Sequence, residues 1–194
     1  MLVFSEYQTD TIDLALDFYG YEDCPKNYEF GPSVRDNFVL HYITKGKGVL
    51  HFNKKEIHLE AGDLFLLPKN MVTYYKADEE EPWSYYWIGI SGTKVSDFMR
   101  FSTLHEKGFL KKTEVETEKI GQFMERLVHK AEASKMTSHY QLHLLSQIYE
   151  LLFLISEVAP DIHRSHPSPT YQLYLTCKHV IETHYNKDHL SIQE

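Results

Sequence analysis

Short runs of β-type residues follow one another between residues 37 and 90, and turn residues separate them at nearly even spacing. Residues 38–43 form one such run and end at a turn over residues 46–48. Residues 56–60 alternate strictly, which places Ile57 and Leu59 on one face of an extended chain. Strands this short with turns this regular are typical of an antiparallel sandwich or barrel rather than a parallel α/β sheet.

The last of these runs is unusually aromatic and reads Trp83-Ser84-Tyr85-Tyr86-Trp87. Side chains alternate along a strand, so Trp83, Tyr85 and Trp87 are predicted to share one face. If that face looks into a small barrel, its rings can hold a compact polar molecule such as a sugar. The C–H groups of the sugar would stack on the indole of Trp87, while its hydroxyls need polar partners at the rim. The alternative is that Trp87 is part of the barrel core.

After residue 90 the apolar spacing changes from two residues to a helical period. A second helix is predicted to begin at Ser138 and to run to about Val158, before Pro160. Its apolar positions cover about 200° of the circumference, roughly twice the arc needed to pack on one core. This predicts burial on two sides, against its own barrel and against a second chain; the alternative is a helix sandwiched within the monomer. The apolar positions of the first helix are Ile120, Phe123, Met124, Leu127, Val128 and Ala131.

The C-terminal part of the sequence is predicted to contain a linker and a further helix. Residues 161–170 are rich in proline, serine and histidine and indicate the linker. Residues 171–185 have the spacing of an amphipathic helix. Ser191 and Glu194 are placed as the two partners of a capping box at the start of another helix. We therefore expect this sequence to be a fragment of a longer protein.

Composition narrows the class of protein. The 194 residues carry a formal net charge of -8. A chain whose own surface binds the phosphates of a nucleic acid is expected to be positively charged instead. Cys24 and Cys177 stand in no metal-binding or redox pairing, which is typical of reduced thiols. Neither a signal peptide nor an apolar run of transmembrane length is recognisable. We expect a cytoplasmic protein that does not contact membranes and that binds DNA only through a further segment.

Several segments, in this order and spacing, resemble the regulatory domain of the arabinose-activator (AraC/XylS) family of bacterial transcription regulators. The resemblance is greatest to sugar-responsive members from Gram-positive bacteria, and it covers nearly the whole chain. The segments are residues 20–24, 30–36, 40–48, 61–63, 74–78 and 82–88, and the tail 190–194 is similar to the beginning of the family's DNA-binding half.

The resemblance implies a mainly β plus α fold, a cupin-like (jelly-roll) barrel followed by two antiparallel dimerisation helices and a linker helix. By role, residues 1–108 would form an N-terminal arm and the effector-binding barrel, and residues 109–160 the helical dimerisation region. Residues 161–194 would be the linker and the start of a helix-turn-helix domain that is missing here. A homodimer would form through residues 115–158, and the arm, residues 1 to about 18, would close over the ligand.

Matched by position, the family's ligand-binding places are occupied by Trp87, Tyr85 and Tyr74. Arg35 either enters the pocket, bridging ligand hydroxyls or holding an anion, or is a surface ion-pair partner. His41 is either a core histidine or a ligand contact. Glu22 is a candidate on the motif match alone. The arabinose sensor has an arginine just before the position of Pro32 where this chain has glycine, which argues against arabinose as the ligand.

Many cupins are metalloenzymes, but their metal-binding pattern is not found in this sequence. The 12 histidines form no His-x-His pair, and Thr73 and Tyr74 stand where a later ligand histidine would be expected. His139 and His143 have zinc-compatible spacing on a helix but lack further ligands nearby, so they are interpreted as a polar helix face. No metal or other cofactor is expected.

The prediction for function is an effector-binding and dimerisation domain of a transcriptional activator of carbohydrate-utilisation genes, without enzymatic activity. The effector is expected to be a sugar or oligosaccharide. An α-galactoside such as raffinose or melibiose suits the resemblance, while glucosides and non-sugars stay open. Two alternatives belong to other classes: a cupin enzyme such as an isomerase or dioxygenase, with or without a metal, and a stand-alone sugar-binding module.

Overall fold

The computed structural model describes the backbone of residues 5–6, 12–133, 138–162 and 169–184. These residues form ten strands and five helices, with the strands concentrated in the first 110 residues. The strands are β1 Ser5–Glu6, β2 Ala15–Asp23, β3 Glu29–Val34, β4 Phe38–Lys45, β5 Lys47–Phe52, β6 Lys55–Glu60, β7 Leu64–Leu67, β8 Val72–Ala77, β9 Ser84–Ser91 and β10 Phe109–Leu110. The helices are α1 Val95–Met99, α2 Leu104–Lys107, α3 Thr117–Ala133, α4 Ser138–Val158 and α5 Pro169–His184.

The strands form two antiparallel sheets. The six-stranded sheet has the order β1-β2-β9-β4-β7-β10, and the four-stranded sheet has the order β3-β8-β5-β6. Side chains from both sheets meet in one buried cluster that includes Phe65 and Trp83 with Leu50 and Tyr75. The antiparallel two-sheet architecture predicted from the spacing of the short runs is confirmed.

Strand β9 is buried on both faces. Tyr85 and Trp87 belong to the cluster between the sheets, whereas Tyr86, Ile88 and Ile90 belong to a second cluster with the helices. The predicted shared face of Trp83, Tyr85 and Trp87 is confirmed. The outer face is also apolar because α3 packs across β9 and β4.

Helices α3 and α4 cover the outer face of the six-stranded sheet and contact each other. All six apolar positions predicted for the first helix are buried in their shared cluster. The other side of α4 exposes Leu142, Tyr149 and Phe153, which are 71%, 46% and 64% accessible. One predicted side of burial is therefore present within this chain, and the second side is an exposed apolar surface.

The segments at the two ends are only partly described. Of the predicted arm, β1 pairs Ser5 with Tyr19 and Glu6 with Phe18, and residues from Ala15 onward already belong to the barrel strand β2. The part of the chain that the structure describes divides into two compact units, with the boundary between Asp161 and Ile162. The helix predicted over residues 171–185 is confirmed as α5. The predicted capping box at Ser191 and Glu194 and most of the linker lie outside the described residues.

Gly48 is required where β5 crosses the buried indole of Trp83. A Cβ atom at this position would lie 2.5 Å from the Trp83 ring and 2.6 Å from the backbone oxygen of Lys76. Trp83 is fully buried and the carbonyl is held in the sheet, so neither can move freely. We expect Gly48→Ala to lower the free energy of unfolding by about 1–3 kcal/mol, measured by urea denaturation.

His51→Ala on the same strand is the matched control, because His51 is exposed and its loss is expected to change stability by less than about 1 kcal/mol. Equal stabilities of the Gly48 variant and the wild-type chain would contradict the packing described at Trp83.

Candidate functional site

A cavity of about 270 Å³ lies between the two sheets, and we call it the inner cavity. Strands β2, β4 and β9 each contribute inward-facing side chains to it, and β3, β8 and the connections beside them supply the rest. The lining residues are Phe18, Glu22, Tyr28, Phe30, Arg35, Val39, His41, Tyr75, Tyr85 and Trp87.

Five of the six predicted ligand-binding residues line the inner cavity: Trp87, Tyr85, Arg35, His41 and Glu22. They come from three strands and one loop that are far apart in the sequence. The antiparallel register brings them together, since Trp87 pairs with His41 on one side and Tyr85 with Glu22 on the other. Their roles toward a ligand stay predictions, but their convergence is a property of the fold.

Tyr74, the sixth predicted residue, does not line the inner cavity, and this placement corrects the prediction. Strand β8 turns Tyr75 inward, where it is buried, while Tyr74 packs against His51 on the other face with ring centroids 5.0 Å apart. The charged Lys76 lies on the same outward face of β8 as Tyr74, because side chains two residues apart lie on one face. A lysine is expected in water, so Lys76 was a signal that Tyr75 is the inward residue.

Other lining residues were missed because their strands have weak sequence patterns. Phe18, Tyr28 and Phe30 lie in the region interpreted only as an arm or short strands, and the sequence offers no clear alternation there. Val39 shares its inward face with His41 and could have been found from that parity.

The polar lining contains a chain of hydrogen bonds. The Tyr85 hydroxyl donates to Glu22 Oε2 at 3.1 Å, and the Tyr75 and Tyr85 hydroxyl oxygens are 3.0 Å apart. Tyr85 has one hydroxyl hydrogen and gives it to the carboxylate, so Tyr75 is the donor to Tyr85. Burial raises the pKa of both phenols well above the ordinary value, which keeps them protonated donors at neutral pH.

His41 lines the inner cavity and is only 3% exposed. Its ring stacks on Phe65 with centroids 4.3 Å apart and planes 3° apart, and Tyr75 and Tyr85 meet it edge-on. Burial, aided by the positive charge of Arg35, lowers the pKa of His41 to about 3. The ring is therefore neutral at physiological pH, and its Nδ1 is buried without a hydrogen-bond partner.

Arg35 is a half-buried residue of the lining, and its guanidinium carbon is 4.6 Å from the ring centroid of Phe30 and 5.8 Å from that of Phe18. These cation–π contacts orient the side chain and leave its hydrogen-bonding edge for other groups. Its Nε is buried and has no hydrogen-bond partner.

The two tryptophans of the aromatic run have different places. Trp83 is fully buried and stacks on Phe65 with centroids 5.5 Å apart, so it belongs to the core. Trp87 is 8% exposed and meets Phe18 edge-on at 5.5 Å. Trp87 thus forms part of the wall of the inner cavity.

Burial raises the pKa of the Cys24 thiol to about 12, so this thiol is not a reactive thiolate at neutral pH.

A concave, mostly aromatic lining with a few convergent polar groups is typical of small-molecule binding sites. Within the described residues no three His, Cys, Asp or Glu side chains come together in a group that could hold a metal ion. Among the helices that the structure describes, none is long and apolar enough to cross a membrane.

Residues 15–152 match the profile of the family described as AraC-like ligand binding domain, and the chain belongs to this family. The chain is 35% identical over 184 residues to the Msm operon regulatory protein of Streptococcus mutans, covering 94% of this chain and 65% of that protein. It is 41% identical over 100 residues to the raffinose operon transcriptional regulatory protein of Pediococcus pentosaceus, covering 50% and 36%. It is 25% identical over 194 residues to the lactose operon transcription activator of Staphylococcus xylosus, covering 100% and 68%. The chain thus spans less than two thirds of the first two relatives.

Solved structures that are similar to this chain include the cupin domain of Schizosaccharomyces pombe Cnp3, with 16% identity and a TM-score of 0.39 over 51% of this chain and 70% of that one. Another is a predicted oxalate decarboxylase from Thermotoga maritima, with 20% identity and a TM-score of 0.36 over 39% and 66%. The predicted cupin-like barrel followed by helices is confirmed by the two facing antiparallel sheets and the helices α3 and α4.

Proposed function

We propose that this chain is the effector-binding and dimerisation domain of a transcriptional activator of carbohydrate-utilisation genes, and that its effector is a sugar or oligosaccharide. The inner cavity carries this proposal, because it combines an indole wall with a small set of hydrogen-bonding groups. The names of the relatives support it, since two of them are regulators of a raffinose operon and a lactose operon.

The chemistry of the lining suits a neutral polyhydroxylated ring. Trp87 offers a flat apolar face to sugar C–H groups, and the carboxylate of Glu22 accepts hydrogen bonds from hydroxyls. Arg35 adds donors to the lining, so hydroxyls, which both donate and accept, find partners of both kinds.

Strand β9 offers a direct route from the ligand to the helices. Tyr85 and Trp87 face the inner cavity, while the intervening Tyr86 faces α3. Its hydroxyl lies 3.2 Å from Glu125 Oε1 and 3.2 Å from His129 Nε2. A ligand that binds one arrangement of β9 better than another would shift the population of helix positions by its differential affinity.

The remaining predicted roles are part of the same proposal. Homodimerisation would use residues 115–158, where Leu142, Tyr149 and Phe153 form an exposed apolar face on α4. DNA would be bound by a helix-turn-helix domain C-terminal to this chain, in the cytoplasm, and the chain has no catalytic role. The proposed roles divide the chain into three parts: the arm and barrel at residues 1–108, the dimerisation region at 109–160 and the linker at 161–194.

Calorimetric titration of the 194-residue chain with mono- and oligosaccharides tests the proposal. We expect at least one sugar to bind, and Trp87→Ala to weaken its binding by roughly 10- to 100-fold through loss of about 1.5–3 kcal/mol of buried contact. Tyr85→Phe removes one hydroxyl from the cavity and is expected to weaken binding by roughly 2- to 10-fold.

Tyr74→Phe is the matched control, because it removes the same group from the outward face of β8 and is expected to leave the affinity unchanged. Equal affinities of the wild-type chain and the Trp87 variant, or the same loss from Tyr74→Phe and Tyr85→Phe, would contradict the assignment of the inner cavity. Absence of binding to every sugar tried would contradict the sugar as effector.

A further inference from the structure

Phe18 lies in the wall between the inner cavity and a second hollow, which we call the outer hollow. The outer hollow has a volume of about 550 Å³, and it is open to water because Val34 in its lining is 58% exposed. Phe18, Phe30 and Arg35 line both spaces. These three side chains therefore separate the inner cavity from the outer hollow.

A β-bulge turns Phe18 toward the inner cavity. Leu16 pairs with Ile90, but Phe18, two residues on, pairs with Gly89, so Asp17 is an extra residue in β2. Leu16 packs in the cluster with the helices, whereas Phe18 lines the inner cavity. On a regular strand these two side chains would share one face, and the extra residue allows them to point to opposite faces.

Hydrogen bonds hold the bulge in place. Ser91 Oγ donates to Asp17 Oδ1 at 2.7 Å, and Asn37 Nδ2 donates to Asp17 Oδ2 at 3.2 Å. Ser91 ends β9 and Asn37 directly precedes β4, so the extra residue is tied to the next two strands of the sheet. The inward orientation of Phe18 is therefore fixed by the fold.

Phe18 and Trp87 share the inner surface of β2 and β9 because each of them lies opposite a glycine. Phe18 pairs with Gly89, and Trp87 pairs with Gly20. The two rings meet edge-on with centroids 5.5 Å apart. A Cβ atom at Gly89 would lie only 2.1 Å from the Phe18 ring, so the ring occupies the place that a side chain at Gly89 would take.

Truncation of Phe18 would open this wall more than truncation of Phe30. The ring of Phe30 stacks on Tyr75 with centroids 5.3 Å apart, so Tyr75 would still close the space behind it. Phe18 instead rests on Gly89, which has no side chain to take its place. Loss of the Phe18 ring would therefore join the inner cavity to the outer hollow.

The size of the inner cavity limits the ligand while Phe18 is in place. The volume of about 270 Å³ lies just below the range of about 300–1,000 Å³ for small-molecule sites, so the cavity has room for one sugar ring. A further ring cannot extend from it into the outer hollow, because the Phe18 ring stands between the two spaces.

We propose that Phe18 is a specificity-determining residue, which contacts the bound sugar ring beside Trp87 and blocks extension of the ligand into the outer hollow. This inference rests on the proposed sugar-sensing function and adds the residue that limits which sugars fit the inner cavity. The bulge at Asp17 and the glycine at position 89 are the two features that place the ring.

Calorimetric titration with two sugar series of increasing length tests the role of Phe18. The first series is galactose, melibiose and raffinose, and the second is glucose, maltose and maltotriose. In a series that the wild-type chain binds, Phe18→Ala is expected to raise the affinity for the longer sugars relative to the monosaccharide by roughly 5- to 10-fold. Phe101→Ala, which truncates an exposed phenylalanine, is the matched control and is expected to leave this ratio unchanged.

Gly89→Ala tests the place of the Phe18 ring from the opposite strand. The added methyl group would meet the ring and push it into the inner cavity, so the binding of every sugar is expected to weaken roughly 5- to 10-fold. The double variant Phe18→Ala/Gly89→Ala has no ring to displace, and its affinities are expected to equal those of Phe18→Ala. A general disruption of β9 by Gly89→Ala would not be rescued in this way.

Acrylamide quenching of tryptophan fluorescence tests the wall without any sugar. The sequence contains two tryptophans, and Trp83 is fully buried, so the quenching reports on Trp87. Loss of the edge-on Phe18 ring exposes this indole to the outer hollow, and the quenching constant of Phe18→Ala is expected to rise roughly twofold. Phe101→Ala is again the control and should quench like the wild-type chain.

The outcomes separate this inference from the proposed function. Sugars that bind with the same length preference in the wild-type chain and in Phe18→Ala overturn the role of Phe18 alone. Unchanged quenching in Phe18→Ala, or a loss in Gly89→Ala that persists in the double variant, also overturns it. Binding of no sugar by the wild-type chain overturns the proposed function together with this inference.

Discussion

Replacing Phe65 with alanine is expected to lower the free energy of unfolding by about 3–5 kcal/mol. Phe65 is 0% exposed on β7, and its ring lies between those of His41 and Trp83, at centroid distances of 4.3 and 5.5 Å. Tyr75 from the facing sheet packs against it at 5.5 Å. Removing the ring leaves a cavity that neighbouring rings, each held in its own strand, cannot collapse to fill.

Urea denaturation of the wild-type chain and the variant measures this loss. Phe101→Ala is the matched control, because Phe101 is 54% exposed and its truncation is expected to cost less than about 1 kcal/mol. Phe65→Leu, which keeps most of the apolar volume, should fall between the two. A loss from Phe65→Ala no larger than that from Phe101→Ala would show that the two sheets do not pack around this ring.

The chain is expected to lose about 2 kcal/mol of stability between pH 7.5 and pH 5 through His41 alone. Burial lowers the pKa of His41 from 6.5 to about 3 in the folded chain, while the unfolded chain keeps the ordinary value. Below pH 6.5 the unfolded state takes up a proton that the folded state does not. The contribution of the neutral ring is therefore complete above about pH 6.5 and is lost as the pH falls from there toward 3.

Denaturation curves of the wild-type chain and His41→Leu, recorded from pH 7.5 to 4.5, isolate this effect. The difference between the two should change by about 2 kcal/mol by pH 5, because the leucine variant lacks the titrating ring. The hydrogen bond with Lys45 lowers the pKa of Asp23 to about 2. Asp23 therefore contributes stability that is lost only below about pH 4, outside the range that is compared. Parallel pH profiles of the two proteins would contradict the buried neutral state of His41.

Local periodicity was sufficient to place much of the architecture. The six apolar positions of α3 and the shared face of Trp83, Tyr85 and Trp87 follow from repeats of 3.6 and two residues, which depend only on backbone geometry. Periodicity did not decide whether Tyr74 or Tyr75 faces inward, and the family resemblance selected Tyr74. In the structure the buried, inward residue is Tyr75. Two adjacent tyrosines fit either face, so the choice depends on which side of β8 meets the other sheet.

The sequence by itself determined the element types, the two-sheet class and the strand that carries the aromatic wall, because these depend on spacing along one stretch of chain. Only the tertiary structure decided which side chains share the inner cavity. Strand register sets those distances, for instance by pairing Glu22 with Tyr85, which are 63 positions apart in the sequence. Register arises from packing between distant segments, which no local pattern encodes.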